Sequence, residues 1–138
     1  MAATRTKAFS YILGGLLLAV GQPAISALTD PGQRFYMLQP LIYIWQPIPY
    51  VVAAALWLPW GSARAARVGL VLARLLFVCA ALFYIPIMTG LVGSGSDMVV
   101  LGYILFSIVT TAAVLLATLI GFATSWIRRP RAGGAEQP

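Results

Sequence analysis

Hydrophobic positions along the chain form four long runs that polar segments separate. The runs cover about residues 9–28, 38–60, 68–91 and 98–127. A helix needs about 20 predominantly apolar residues to cross a bilayer, whereas runs of about 10 to 14 are typical of soluble core helices. The pattern therefore predicts an all-α polytopic membrane protein. We expect a four-transmembrane-helix bundle within residues 1–127 and a disordered tail at 128–138.

Basic residues predict the orientation of this bundle. The segments on one side of the runs carry seven Lys and Arg residues, and those on the other side carry only Arg34. The seven are Arg5, Lys7, Arg64, Arg67, Arg128, Arg129 and Arg131. The positive-inside rule assigns the richer side to the cytoplasm and gives an N-in/C-in topology. This asymmetry and the Ala-, Gly-, Arg- and Leu-rich composition favour a multi-pass protein of a bacterial cytoplasmic (inner) membrane.

The first run has a second interpretation, a secretory signal peptide. Basic residues precede an apolar core from Tyr11 to Val20, and Ala24-Ile25-Ser26 then resembles a cleavage site. The run continues apolar through Leu28, which favours a retained helix.

The second run contains two closely spaced prolines, Pro47 and Pro49. Each removes a backbone donor and obstructs the carbonyl four residues earlier, so we expect a kink or unwinding near Gln46. Trp57 and Trp60 lie beside Arg64, a pattern typical of an aromatic belt at the cytoplasmic face.

Polar side chains recur along one helical face of the second run, at Gln39, Tyr43, Gln46 and Tyr50. Counting from the outer turns places further polar residues of the other runs at the same depth. We hypothesise an outward-facing polar cavity beside the proline break. Its residues are Gln22, Tyr43, Gln46, Tyr50, Tyr84, Tyr103 and Ser107. The alternative is a set of isolated interhelical hydrogen bonds, each contributing about 0.6 kcal/mol.

Small residues recur every four positions in the fourth run and predict a helix-packing seam. The seam consists of Ala113, Ala117, Gly121 and Ser125. Helices in lipid associate by close packing, which small residues permit. The partner is a helix of the same chain or another subunit. Shorter stripes at Gly15 and Ala19, and at Gly69 and Ala73, are candidate opposite surfaces.

Arg74 lies about two helical turns inside the third run. An arginine near a helix end can extend its side chain to the headgroup level, so we expect snorkelling. An interior partner and an anionic lipid headgroup are the alternatives.

Reactive groups are scarce. The chain has no His and a single Cys, Cys79. Haem, zinc and copper sites usually need imidazole or several thiolates, which are therefore lacking, and one cysteine cannot form a C-x-x-C redox pair. The acidic residues Asp30, Asp97 and Glu136 fall outside the membrane, which disfavours proton-coupled transport. We predict no catalytic residue, metal or cofactor. The net charge of +6 is scattered between the runs, which disfavours nucleic acid as a partner.

Three functions remain open after these exclusions. The first is a non-enzymatic accessory or scaffold subunit of a larger membrane complex. The second is a homo-oligomeric channel or carrier for a neutral or anionic small molecule. The third, a lipid-acting enzyme that uses Arg74 or Arg34 to hold a phosphate, has the least support because neither arginine has a base or nucleophile beside it. The expected partners are the lipid bilayer and either another membrane protein or further copies of this chain.

Overall fold

The computed structural model describes residues 2–29, 44–59, 62–91 and 97–127, where every regular element is helical. The helices are α1 (Ala2–Thr29), α2 (Ile48–Trp57), α3 (Ala63–Met88) and α4 (Asp97–Ile127). The predicted all-α class is confirmed.

Three of the four helices are long and apolar enough to cross a membrane. The candidate spans are Ala2–Ile25, Ala63–Met88 and Leu101–Thr124. The second run contributes α2, whose 10 residues extend only about 15 Å. Residues 38–43 of that run lie outside the described part, as does the predicted tail. The four-span topology and its orientation therefore stay predictions.

The proline break occurs where the sequence predicts it. Residues 44 and 45 are helical, Gln46 and Pro47 form a turn, and α2 starts at Ile48. Pro49 then occupies the first turn of α2, where a helix does not need the missing N–H. The two prolines thus end one helical segment and start the next.

The ends of α3 are defined by local capping. The Ser62 hydroxyl accepts a hydrogen bond from the Ala65 N–H at 3.1 Å and caps the first turn. At the other end Gly90 adopts φ +74°, a left-handed conformation that favours glycine and stops the helix. The segment before α4 is short, so α3 and α4 are antiparallel neighbours.

The outer surface of the bundle is far more apolar than that of a soluble protein, and several polar residues are buried. The outer faces carry exposed large apolar side chains such as Leu17, Leu82 and Leu119. The interior contains the polar residues Gln22, Gln46, Ser107, Thr110 and Thr118. Water would penalise such an exterior, whereas hydrocarbon would not. The three long apolar helices and this distribution support a membrane protein.

The first and third helices form the most extensive pair of the bundle. The Arg74 guanidinium lies over Tyr11, and Gly14, one turn further along α1, faces Phe77, one turn further along α3. The residue numbers of the contacting pairs increase in the same direction along both helices, so α1 and α3 are parallel. The buried small residues of the pair, which include Ala19 and Ala73, allow the backbones to approach closely.

The second and fourth helices are also parallel and pack mainly on each other. Ser107 contacts Trp45 just before the start of α2, and Thr118 contacts Trp57 at its end. Phe83 and Tyr84, near the end of α3, contact Tyr103 near the start of α4. These contacts show that the helices alternate in direction along the chain.

We call α1 with α2 the first helical hairpin and α3 with α4 the second. Buried positions in the first hairpin recur 61 residues later in the second. The buried pairs on α1 and α3 are Ala8/Gly69, Ile12/Ala73, Gly15/Leu76 and Ala19/Ala80. Those on α2, with the turn before it, and on α4 are Gln46/Ser107, Pro49/Thr110, Ala53/Val114 and Trp57/Thr118. The two halves share few residues, so the sequence suggests only an alternation imposed by topology. The burial pattern shows that each hairpin presents its helices to the core in the same register.

Candidate functional site

Six polar side chains lie buried at one end of the bundle, where α1 and α3 finish and α2 and α4 begin. We call this set the polar layer. It consists of Gln22, Gln46, Tyr50, Tyr84, Tyr103 and Ser107. All six belong to the predicted polar cavity, and its seventh member, Tyr43, lies outside the described residues. Whether the layer encloses a cavity open to the outer side stays a prediction.

The phenols of the layer lie close to one another. The rings of Tyr84 and Tyr103 are 6.3 Å apart and nearly parallel. Tyr50 on α2 is fully buried in the same layer. The layer therefore brings together α2, α3 and α4 through their tyrosines.

Two phenylalanines support these tyrosines. Phe83 and Phe106 stack at 4.2 Å between centroids, with their planes 1° apart. Tyr84 meets Phe106 edge to face at 5.6 Å. Aromatic pairs of this kind contribute about 0.5–1.5 kcal/mol beyond simple burial. Sequence reasoning missed both residues because Phe on an apolar run carries no signal that distinguishes a site from lipid-facing surface.

Tyr50 is held in position by α1. Its ring packs directly on Gly15, and an added Cβ at that glycine would lie 2.9 Å from Tyr50 Cδ1 and closer still to Cε1. The absence of a side chain at Gly15 therefore makes the space that the Tyr50 ring occupies. Gly15 belongs to a predicted small-residue stripe, and in the structure it accommodates an aromatic side chain of α2.

Ser107 has a structural partner at the proline break. Pro49 has no N–H, so the carbonyl of Trp45, four residues earlier, loses its normal helical donor. The Ser107 hydroxyl on α4 donates a hydrogen bond to this carbonyl. Side chains of neighbouring helices commonly satisfy backbone groups that a proline frees within a membrane. Ser107 thus fits the alternative of interhelical hydrogen bonding.

Trp57 joins α2 and α4 at the opposite end of the bundle. Its indole N–H donates to the Thr118 hydroxyl at 2.8 Å, and that hydroxyl donates to the Val114 carbonyl at 2.7 Å. Trp57 is 5% exposed, so the expected position in a lipid-facing aromatic belt is wrong for this residue. It falls on the same helical face as Gln46, Tyr50 and Ala53, which faces inward. Trp60 lies outside the described residues.

Four members of the polar layer have no hydrogen-bond partner in the described part of the chain. The unpartnered atoms are both amide atoms of Gln46 and the hydroxyls of Tyr50, Tyr84 and Tyr103. These side chains are 1%, 0%, 0% and 5% exposed, respectively. A buried polar group without a partner costs about 1–3 kcal/mol. Four such side chains at one level are difficult to explain by a purely structural role, since apolar residues would fill the space without this cost.

The chemistry available to the layer is that of neutral hydrogen bonding. A phenol hydroxyl donates and accepts, and a carboxamide offers both a donor and an acceptor group. No charged side chain belongs to the layer as defined, and the described residues contain no group of three or more potential metal ligands. Cys79, the one cysteine, is exposed on α3. The arrangement can bind an uncharged molecule, and nothing in it activates a nucleophile.

The predicted small-residue seam lies largely away from the core of the chain. Ala113 is exposed, and Ala117 and Gly121 are half-buried. The side chain of Ser125 lies outside the described part. The inward face of α4 instead consists of Tyr103, Ser107, Thr110, Val114 and Thr118. The stripes on α1 and α3, by contrast, are buried at Gly15, Ala19, Gly69 and Ala73.

Arg74 is exposed on α3 and does not enter the interior. Its guanidinium lies 5.4 Å from the centroid of the Tyr11 ring. Such a cation–π contact is favourable by about 0.5–1 kcal/mol at an exposed site. The structure thus adds a neighbouring aromatic ring to a residue for which the sequence leaves snorkelling, an interior partner and a lipid headgroup open.

Comparisons of this chain with family models, with curated proteins and with solved structures find no match.

Proposed function

We propose that this protein is a non-enzymatic, multi-pass membrane protein that binds a small uncharged solute in its polar layer and lets it cross the membrane. The observation that carries this proposal is the set of unpartnered polar atoms on Gln46, Tyr50, Tyr84 and Tyr103. Buried polar groups require partners. A solute or water that supplies several hydrogen bonds would complete the layer.

The charge of the layer selects the class of solute. Its members are amides, phenols and a hydroxyl, none of them ionised at neutral pH. An anion is best stabilised by a fixed cation, and the layer as defined contains none; the start of α2 beside Gln46 contributes only a partial positive charge. This favours the neutral solutes among the neutral and anionic ones that the sequence leaves open.

The proline break is consistent with a solute-binding site at its level in the bundle. Irregular backbone within a membrane is tolerated where it meets protein or a water-filled space. Ser107 satisfies the Trp45 carbonyl, while the side chain of Gln46 at the turn has no hydrogen-bond partner in the part of the chain that the structure describes. On this proposal the turn holds Gln46 towards the solute. Four helices in one copy enclose little space, so a homo-oligomer is the expected working form.

A swelling assay on proteoliposomes tests the proposal, with water, glycerol and urea as probes. We expect faster flux of at least one probe than in empty liposomes. Gln46→Leu and Tyr84→Phe should each lower that flux severalfold while leaving stability unchanged or increased, because each removes an unpartnered polar group. Tyr11→Phe is the matched control, since Tyr11 is outside the layer. Unchanged flux in both layer variants would refute the proposal.

The second candidate is an accessory or scaffold subunit of a membrane complex. The observation that favours it is the position of α4, which packs mainly on α2 and leaves Ala113 exposed with two half-buried small residues in line. Close helix packing in lipid uses such residues. We infer a partner in the inner membrane of a bacterium, either another membrane protein or a second copy of this chain.

Purification in mild detergent separates the two candidates. A stoichiometric foreign partner that Ala113→Leu displaces would favour the subunit, and a homogeneous homo-oligomer would favour solute transport. Ala112→Leu is the matched control, because Ala112 is also exposed on α4 but lies off the seam. Equal effects of the two substitutions would remove the support for the seam.

A further inference from the structure

Parallel packing of α1 and α3 brings their basic N-terminal ends together. In the register set by Tyr11 with Arg74 and by Gly14 with Phe77, Arg74 lies level with Tyr11. Lys7, which is exposed, is one helical turn before Tyr11, or about 6 Å along the axis at about 1.5 Å per residue. Arg74 therefore lies about 6 Å from the level of Lys7, compared with about 10.5 Å from Arg67 along α3.

The Arg74 side chain is supported by an aromatic platform. Tyr11 packs against Phe77 with 5.8 Å between ring centroids, and the guanidinium lies over the Tyr11 ring. Phe77 in turn packs on Gly14, where an added Cβ would be 2.9 Å from Phe77 Cε2. A guanidinium held over a ring keeps its N–H donors in a fixed plane, which favours bidentate contact with a phosphate.

Both helices lack acidic residues that would neutralise this charge. No Asp or Glu occurs anywhere in α1 or α3. Arg67 is exposed about two turns before Arg74, and Arg64 is exposed at the start of α3, so this end carries four exposed cations: Lys7, Arg64, Arg67 and Arg74. The charge of this end calls for an anionic partner.

Large apolar side chains close in sequence to Arg74 and Tyr11 are exposed. Val71 and Leu75 on α3 and Leu13 on α1 are all exposed large hydrophobic residues. A ligand with a phosphate and acyl chains matches a cation beside such a surface, whereas free phosphate would leave it uncovered.

We propose that Arg74, on its Tyr11 platform, binds the phosphate of an anionic phospholipid headgroup in the leaflet at the N-terminal ends of α1 and α3. Lys7 contributes a second charge at the headgroup level, and the acyl chains lie along the exposed apolar side chains. The site is independent of the polar layer, which lies towards the opposite end of the bundle.

Native mass spectrometry of the full-length protein in detergent tests this site, with phosphatidylglycerol and phosphatidylcholine as probes. We expect tighter binding of phosphatidylglycerol, and a loss of about fivefold or more in that affinity for Arg74→Gln, because this substitution removes the charge-assisted bidentate contact with the phosphate. Arg64→Gln, which removes the same charge from an exposed position at the start of α3, should change it less than twofold.

The platform is tested separately from the charge. Tyr11→Phe keeps a ring under the guanidinium and should retain binding, whereas Tyr11→Leu should weaken it. Millimolar inorganic phosphate should not displace the lipid. Equal binding of the two lipids, equal effects of the two arginine substitutions, or displacement by phosphate would each overturn the proposal. If Arg74→Gln lowers the melting temperature in phosphatidylcholine, Arg74→Lys replaces it, with a smaller loss expected because lysine lacks the planar fork.

Discussion

Substituting Gly15 by Ala would test how closely α1 and α2 pack at the polar layer. The added methyl group would lie 2.9 Å from Tyr50 Cδ1 and closer still to Cε1. Carbon atoms pack best at about 3.5–4.0 Å. The Tyr50 ring would have to move by roughly 1 Å on this comparison. Tyr50 is fully buried against neighbouring helices, so the ring has little space in which to move.

The expected size of the effect combines two opposing contributions. Overpacking a tight interior costs about 1–3 kcal/mol. Replacing glycine by alanine inside a helix contributes about 0.5–1 kcal/mol in the other direction. The net result should be a loss between about 0 and 2.5 kcal/mol in the free energy of unfolding, with a central value of about 1 kcal/mol.

Gly21 provides the control for this substitution. It lies in the same helix, and an added Cβ there meets no atom within 4 Å. Gly21→Ala should leave the unfolding free energy unchanged or raise it by up to about 1 kcal/mol. Unfolding by sodium dodecyl sulfate in mixed micelles, followed by tryptophan fluorescence and circular dichroism, measures both variants under the same conditions.

Two results would refute this reasoning. If Gly15→Ala and Gly21→Ala have the same effect, Gly15 does not face a packed ring. In a Tyr50→Leu background, the cost of Gly15→Ala should fall, because the ring that it meets has been removed. An unchanged cost in that background would place its origin elsewhere.

Three further substitutions probe other parts of the bundle. Ser107→Ala should destabilise by about 1–3 kcal/mol in the same unfolding assay, because it leaves a carbonyl at the proline break without a donor; Ser10→Ala, which removes an exposed hydroxyl, should have little effect. Trp57→Phe should cost at least about 0.6 kcal/mol through its lost hydrogen bond to α4, and an unchanged unfolding midpoint would contradict this. A cysteine at Arg64, in a Cys79→Ser background, should resist impermeant maleimide added to intact cells; labelling without permeabilisation would reverse the predicted orientation.

Two members of the polar layer have different expected roles, stability for Ser107 and binding for Gln46, which the sequence alone does not distinguish. Ser107 donates to a backbone carbonyl and stabilises the break, so its substitution should be felt as a loss of stability. The Gln46 side chain has no hydrogen-bond partner among the described residues, so we expect its substitution to reduce binding. Comparing the two positions by flux and by unfolding is therefore more informative than either measurement alone.

Local sequence properties determine the existence of the helices and the break between two of them. Hydrophobic run length predicts α1, α3 and α4, because each helix must present an apolar surface of sufficient length to lipid. The prolines predict the turn at Gln46 and Pro47, because each lacks the N–H that would bond the carbonyl four residues earlier, which is a local effect. The apolar run predicts a start near residue 9, whereas α1 starts at Ala2. Hydrophobic run length does not show this extension, because a helix can continue into polar sequence outside the membrane.

Tertiary structure alone decides which faces meet. Helical periodicity places Gln46, Tyr50 and Trp57 on one side of a helix, but it does not show that this side faces α4 and α1. The same limitation applies to the small residues, which are buried at Gly15 yet exposed at Ala113. In lipid an apolar face is equally stable against hydrocarbon or another helix, so helix pairing depends on shape and on hydrogen bonds between distant residues, which one-dimensional patterns do not contain.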